Sequence, residues 1–293
     1  MIPASFDYHR PSSLDEAVGL LTRFGAEAKV LSGGMSLLPL LKLRLGSVGH
    51  LVDIGRLPGL EYVKEENGVL RIGGATRECM LERSELIRTK YPILFDTARV
   101  IADPIVRNRA TVGGNLAHGD PANDHPATMI ALGASVVARG PKGERTIAVN
   151  QFFKGVFETA LAADEILVEI RIPVPPARSG GAYLKLERKV GDFAAAAAAV
   201  QVTLDGKGAI ERAGIGLTNA APTPVEAASA AKYLLGKTIT QNADDKVVAE
   251  AARLAAAAGS PSEDGRGSVE YKREMARVMT ARALRLAVQR AGS

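Results

Sequence analysis

The chain has 293 residues, 46% hydrophobic and 24% charged, with a formal net charge of +5, a length that predicts about two domains, each with its own core. No apolar stretch approaches the roughly 20 residues that a membrane-spanning helix needs. Cys79 is the sole cysteine and aromatic residues make up 4% with no tryptophan, which excludes an internal disulfide, a cluster ligated within the chain and a stacking surface for nucleic acid.

The first half alternates helices and short strands. Leu14, Ala17, Val18 and Leu21 recur at helical spacing, and Ser12 or Ser13 can cap a helix through Phe24. A strand at Lys29–Leu31 leads into Ser32-Gly33-Gly34-Met35-Ser36, and Leu37–Leu45 reads as a helix with Pro39 in its first turn. Leu51–Ile54 and Val69–Ile72 are strands, and Thr76 is placed to open a helix. Tyr91–Ile101 reads as a helix closed before Asp103-Pro104, because the residue before proline avoids helical backbone. Val106–Ala110 leads into a second glycine loop, Thr111–Asn115, and Pro126–Leu132 carries a helix. Ser135–Ala138 and Arg145–Val149 form a hairpin across Gly140–Gly143, and Glu165–Ile172 is a strand ending at Pro173.

Pro173–Pro176 with Ser179–Gly181 is the best linker. Beyond it come three strands, Ala182–Lys189, Ala194–Leu204 and Ala209–Leu217, and then helices near Val225–Leu235, Ala243–Ala258 and Val269–Arg290. Strands followed by helices predict a separate α+β domain. The domains are drawn at residues 1–176, itself split near residue 58, and 177–293.

Both glycine pairs end an apolar run and are flanked by small hydroxyl or amide residues. Glycine permits positive φ and lets a ligand approach the amides. Consecutive N–H groups in such turns make anion-binding concavities, so two such loops could grip the two phosphates of a dinucleotide. Plain tight turns remain the alternative. No G-x-G-x-x-G follows a strand, and Gly236-Lys237-Thr238 lacks the earlier glycine of a P-loop. His118, Asp120, Asp124 and His125 lie close in sequence. A metal site, capping of the next helix and a carboxylate on ribose hydroxyls are the three readings of that segment. Arg99, Arg107 and Arg109 fit either solvated charge or contacts to phosphate or an acidic partner. No nucleophile or acid–base constellation and no metal set emerges from spacing.

At these motifs the chain resembles the FAD-binding medium subunits of the molybdenum hydroxylases, the xanthine dehydrogenase superfamily, and most of all its aerobic carbon monoxide dehydrogenase branch. The segments that carry the resemblance are Ser32–Pro39, Ala102-Asp103-Pro104, Thr111–Asn115, Gly119–Asp124, Ile170–Pro173 and Lys189–Ala194. It spans essentially the whole chain. It implies an α+β protein: a two-part FAD-binding domain of the PCMH (vanillyl-alcohol oxidase-like) type, then a C-terminal domain with a three-stranded antiparallel sheet and a helix bundle.

The resemblance also implies a set of contacts to non-covalent FAD. Val30, Leu31, Ser32, Gly33, Gly34, Met35, Ser36 and Leu37 would wrap the pyrophosphate. Thr111, Gly113, Gly114 and Asn115 would approach from the other side. Asp124 would make a polar contact, Ile101 would pack near the isoalloxazine, and Leu167 would meet the adenine or the ring. Lys185 would lie near the ring and stabilise negative charge on it. Phe193 stands where the carbon monoxide branch has tyrosine, and Met35 where histidine is familiar, so two polar handles are gone. Molybdopterin and two [2Fe–2S] clusters would belong to a large and a small partner subunit, in a dimer of heterotrimers. This chain would pass electrons from a cluster to an external acceptor. Met1–Tyr8 has no basic or strongly apolar leader segment, and the expected location is cytoplasmic, or the inner face of the membrane. A stand-alone FAD oxidoreductase and a flavin-free assembly protein are the competing readings.

Overall fold

The computed structural model describes residues 2–292; Met1 and Ser293, the two ends of the predicted domains, lie outside the described residues. In chain order, β1 (Asp7–His9), α1 (Leu14–Phe24), β2 (Ala28–Leu31), α2 (Leu37–Lys42) and β3 (His50–Asp53) build the first layer. Its three strands are parallel in the order β1-β3-β2. Ser13 caps α1 by accepting from the Glu16 amide, and Ala17, Val18 and Leu21 bury the inner face. Parallel strands put their carboxyl ends on one side, so the segment after β2 emerges at that edge. Helix α2 stops at Lys42, short of the predicted Leu45. Arg44 turns into left-handed backbone (φ 56°) and Leu45 folds its amide back onto the Leu40 carbonyl.

Next come β4 (Val63–Glu66), β5 (Val69–Gly73), α3 (Glu78–Arg83), α4 (Glu85–Lys90), α5 (Pro92–Val100), α6 (Pro104–Arg107), α7 (Val112–His118), α8 (Asp124–Ala131), β6 (Ser135–Gly140), β7 (Gly143–Ala148), β8 (Phe153–Gly155), β9 (Glu158–Thr159) and β10 (Ile166–Pro173). Five of these strands form an antiparallel sheet, β4-β5-β10-β6-β7, with a bulge in β10 between Leu167 and Glu169. The hairpin turns at Pro141-Lys142, with Gly143 at φ 105°. Thr76 is fully buried and caps nothing: its hydroxyl donates to the Tyr62 carbonyl and accepts from the Tyr62 amide.

The third layer holds β11 (Ser179–Leu186), β12 (Ala196–Leu204), β13 (Ile210–Thr218), β14 (Val225–Glu226), α9 (Ala228–Leu234), α10 (Lys246–Ala257) and α11 (Val269–Gly292). The predicted three antiparallel strands are present, and two-residue β14 adds an edge. Ser179-Gly180-Gly181 belongs to β11, so the connection is only residues 174–178. Helix α11 covers β11 and β12, and α8 packs on β12 and β13. The alanine run Ala194–Ala199 is buried throughout. Alanine favours helices in isolation, but small side chains let helices approach a sheet closely, and tertiary packing overrides propensity. Gly180, Gly214 and Gly216 make the same accommodation: a Cβ on any of them would strike a carbonyl of Ala287, Ala131 or Ala127. No helix of the described residues is long and apolar enough to cross a membrane.

Candidate cofactor site

The two glycine pairs meet. The Ser32 and Thr111 hydroxyls, 79 residues apart in sequence, lie 3.0 Å from each other. A Cβ on Gly33 would run into the Arg109 carbonyl oxygen and come within 2.9 Å of the Ala110 Cα. Glycine is therefore required at 33 for close approach of two backbones. At Gly34 the requirement is conformational, with φ at 76°, a region that strains other residues. Among the described residues the N–H groups of Gly33, Gly34, Met35 and Ser36 donate to no acceptor. Consecutive unpaired amides on a bend are what an anion-binding concavity needs. N–H groups buried away from water are costly unless something accepts from them; these four are half-buried and stand open to an acceptor.

The second pair is built differently. Residues 112–118 form helix α7 and Gly113 and Gly114 are its first turn, where a loop was expected. Neither has positive φ. Thr111 is the N-cap and its hydroxyl accepts from the Gly114 amide at 3.2 Å. The Val112 amide donates to the Thr76 carbonyl, that of Gly113 to Gly74, and that of Asn115 to Thr111. These amides are already satisfied inside the protein. Gly113 lacks a Cβ because the Gly74 backbone occupies that space, with its Cα 2.8 Å away. Gly74 in turn abuts the Leu167 carbonyl. What this element brings to the first pair is side chain: the buried Thr111 hydroxyl, held against that of Ser32, and one helical turn on the Asn115 amide, whose Oδ1 is buried without a hydrogen-bond partner.

From Asn115 the strip continues. Asn123 Nδ2 donates to the Asn115 carbonyl at 2.8 Å, which brings the start of α8 alongside. Asp124 is enclosed there. Its Oδ1 accepts from the Tyr183 hydroxyl at 2.6 Å and its Oδ2 from Lys185 Nζ at 3.1 Å. Lys185 also donates to the Val100 carbonyl at 3.0 Å and lies 3.4 Å from Glu187 Oε2. Burial pushes the Asp124 carboxyl up from its usual range against the pull of the Lys185 ammonium, and burial likewise raises the Tyr183 phenol. Removing one partner of such an enclosed pair costs about 3–5 kcal/mol. The ammonium is thus committed on the protein side, and two carboxylates share the charge expected to face the ring.

Of the predicted residues, the structure gathers Ser32 to Ser36, Thr111 and Asn115 in one place, with Val30, Leu31 and Leu37 flanking the bend. Asp124 and Lys185 form a second group beside Val100 and Ile101; the Ile101 carbonyl is held by Arg107 Nη1 at 3.0 Å. Leu167 stands apart: its side chain is buried in the main core, and only its carbonyl reaches toward the site, through Gly74. Phe193 is 43% exposed, with the Arg266 guanidinium over its ring at 5.4 Å. Its loop approaches the second group where Gly191 abuts the Ala102 carbonyl.

The carboxylate segment does other work than capping. Asn123 holds the N-cap position without a side-chain cap bond, Asp120 Oδ1 accepts from the Ala122 amide, and His125 Nε2 pairs with Glu78 Oε2 at 2.7 Å in full burial. Among the described residues no three His, Cys, Asp or Glu side chains are arranged to hold a metal. Arg107 is a buried structural residue, with its guanidinium forked onto Glu82. Tyr183 and Gly74 escaped sequence reasoning. For Tyr183 the available signal was its position two residues before Lys185, which puts both on one face of a strand. Gly74 carried no local signal, since its neighbours come from residues 113 and 167.

The family model described as the FAD binding domain in molybdopterin dehydrogenase matches residues 4–175, and that of the CO dehydrogenase flavoprotein C-terminal domain matches residues 181–287. The carbon monoxide dehydrogenase medium chain of Afipia carboxidovorans is 47% identical over 291 residues, 99% of both chains. Subunit alpha of the 6-hydroxypseudooxynicotine dehydrogenase complex of Paenarthrobacter nicotinovorans is 36% identical, covering 99% of this chain and 97% of its own. Among solved structures, a carbon monoxide dehydrogenase from Hydrogenophaga pseudoflava that lacks the Mo-pyranopterin moiety of its molybdenum cofactor superposes with a TM-score of 0.95 at 46% identity, over 99% of each chain.

Proposed function

Since this chain belongs to the FAD-binding medium subunits of carbon monoxide dehydrogenase-type molybdenum hydroxylases, we propose that it carries electrons from a [2Fe–2S] partner subunit to an external acceptor. FAD supplies one- and two-electron chemistry when bound, and the protein supplies binding, orientation and electrostatics. The chain's own contribution divides along the strip. The amides of Gly33, Gly34, Met35 and Ser36 donate to the diphosphate, with Val30, Leu31 and Leu37 shaping the bend. Ser32 and Thr111 hold the two walls together, Gly113 and Gly114 set the second wall in place, and the Asn115 side chain contributes a polar contact. Asp124, Lys185 and Ile101 border the ring end, Leu167 supports it from the core, and Phe193 covers its outer edge.

The observation that supports this reading is the row of four unpaired amides at Gly33–Ser36, closed against Thr111 by a hydroxyl contact. Charge-assisted bonds to such donors contribute about 1.5–3 kcal/mol each, enough in sum to hold a dinucleotide without a covalent link. The remaining parts of the reading are a large molybdopterin subunit, a small cluster subunit, a dimer of heterotrimers, and a cytoplasmic or inner-membrane-face location. Copurification tests it: the reading expects flavin absorbance together with molybdenum and iron in one complex. A complex with metal but no flavin, and no uptake of added FAD, contradicts it. Flavin reduction by substrate with the two other subunits absent would favour the stand-alone oxidoreductase.

A further inference from the structure

We propose that Glu187 sets the reduction potential of the flavin at this site by drawing off the charge of Lys185. The inference rests on the reading that the ring end of the cofactor lies beside Lys185. Tyr183, Lys185 and Glu187 alternate along β11 and its exit, so all three share a face. Lys185 Nζ lies 3.1 Å from Asp124 Oδ2 and 3.4 Å from Glu187 Oε2, with the lysine side chain 2% exposed and the two carboxylates 7% and 21%. One cation therefore faces two carboxylates. Both Asp124 oxygens accept hydrogen bonds, from Tyr183 and from Lys185. Glu187 Oε2 is enclosed and accepts none.

The next cation along the chain does not relieve the imbalance. Arg188 turns away, donating to Asp192 Oδ2 and to the Gly265 carbonyl. A buried carboxylate oxygen without a donor is a cost to the fold, so Glu187 is a poor stabilising contact and its charge calls for another explanation. Charges act strongly on one another where water is excluded. Reduction adds negative charge to the cofactor, and a surplus carboxylate beside Lys185 opposes it. Glu187 thereby keeps the bound flavin a stronger donor to the external acceptor than Lys185 alone would allow.

The experiment is a dye-mediated spectroelectrochemical titration of the FAD-loaded complex as wild type, Glu187→Gln and Glu187→Asp. Glu187→Gln keeps the side chain's shape and removes its charge. The reduced-to-oxidised ratio at a fixed potential should rise about tenfold, about 30 mV upward for the two-electron couple. Glu187→Asp keeps the charge and should titrate with the wild type. If Glu187→Gln is not recovered folded, Glu187→Ala removes the same charge and must show the same upward shift. An unshifted Glu187→Gln with full FAD overturns the proposal. So does a Glu187→Asp shift equal to that of Glu187→Gln, or loss of FAD from Glu187→Gln at an unchanged melting temperature. A wild type that takes up no FAD overturns the site itself, and is told apart because it appears before any substitution is made.

Discussion

Gly33-Gly34 and Gly113-Gly114 look alike in sequence and do opposite things with their backbones. The first pair bends out of a strand and leaves a row of amides without acceptors. The second begins a helix and satisfies its amides on Gly74 and Thr111, with Gly113 against the Gly74 backbone much as Gly33 lies against Arg109 and Ala110. A glycine pair thus marks a place where something comes close, and only the surrounding bonds tell whether that is a ligand or the protein's own chain. The proposed function makes the first pair the binding device and the second the scaffold that faces it.

Breaking the scaffold should cost most. Gly113→Ala drives a methyl group into the Gly74 backbone, which has no rotamer to give. Overpacking of this kind costs about 3 kcal/mol, roughly 6–12 °C of Tm, and calorimetry of the FAD-free chain would read it. A Tm within a degree or two of the wild type would mean that the second pair is looser than its contacts imply.

Gly33→Ala separates the two roles more sharply. The new methyl group meets Arg109 and Ala110, but the bend is only half-buried and can swing away. The FAD-free chain should keep most of its Tm while FAD affinity, from fluorescence quenching, falls by about two orders of magnitude or more as two amide–phosphate bonds are lost. Equal loss of Tm in Gly33→Ala and Gly113→Ala would erase the distinction. The smallest effect is expected for Ser32→Ala, which deletes the hydroxyl contact to Thr111 and leaves every amide in place. One neutral hydrogen bond is worth about 1 kcal/mol, so affinity should drop about fivefold. A loss as large as that of Gly33→Ala would show that the hydroxyl, and not the amides, holds the ligand.

Much of the first pair was legible in the sequence because its determinants are local: a strand, two glycines and a hydroxyl residue on each side. The second pair was misread as a loop because two adjacent glycines weaken a helix by about 1 kcal/mol each. What rescues α7 is remote, since Thr76 and Gly74 accept its first amides. The buried strand beginning in the alanine run was readable from its short apolar length. Its sandwiching between α8 and α11 depended on glycines far along the chain. Asp124 and Lys185 were picked out by family resemblance, yet their enclosure by Tyr183 and Glu187 is a property of strand β11 meeting helix α8, and no local pattern announces that meeting.

Amide hydrogen exchange with and without FAD tests the central claim most directly, because it reads the amides themselves. Residues 33–36 should exchange fast in the FAD-free chain and become protected on binding, while residues 113–115, already bonded, should be slow in both states. Protection that appears at residues 113–115 and leaves residues 33–36 unchanged would contradict the account.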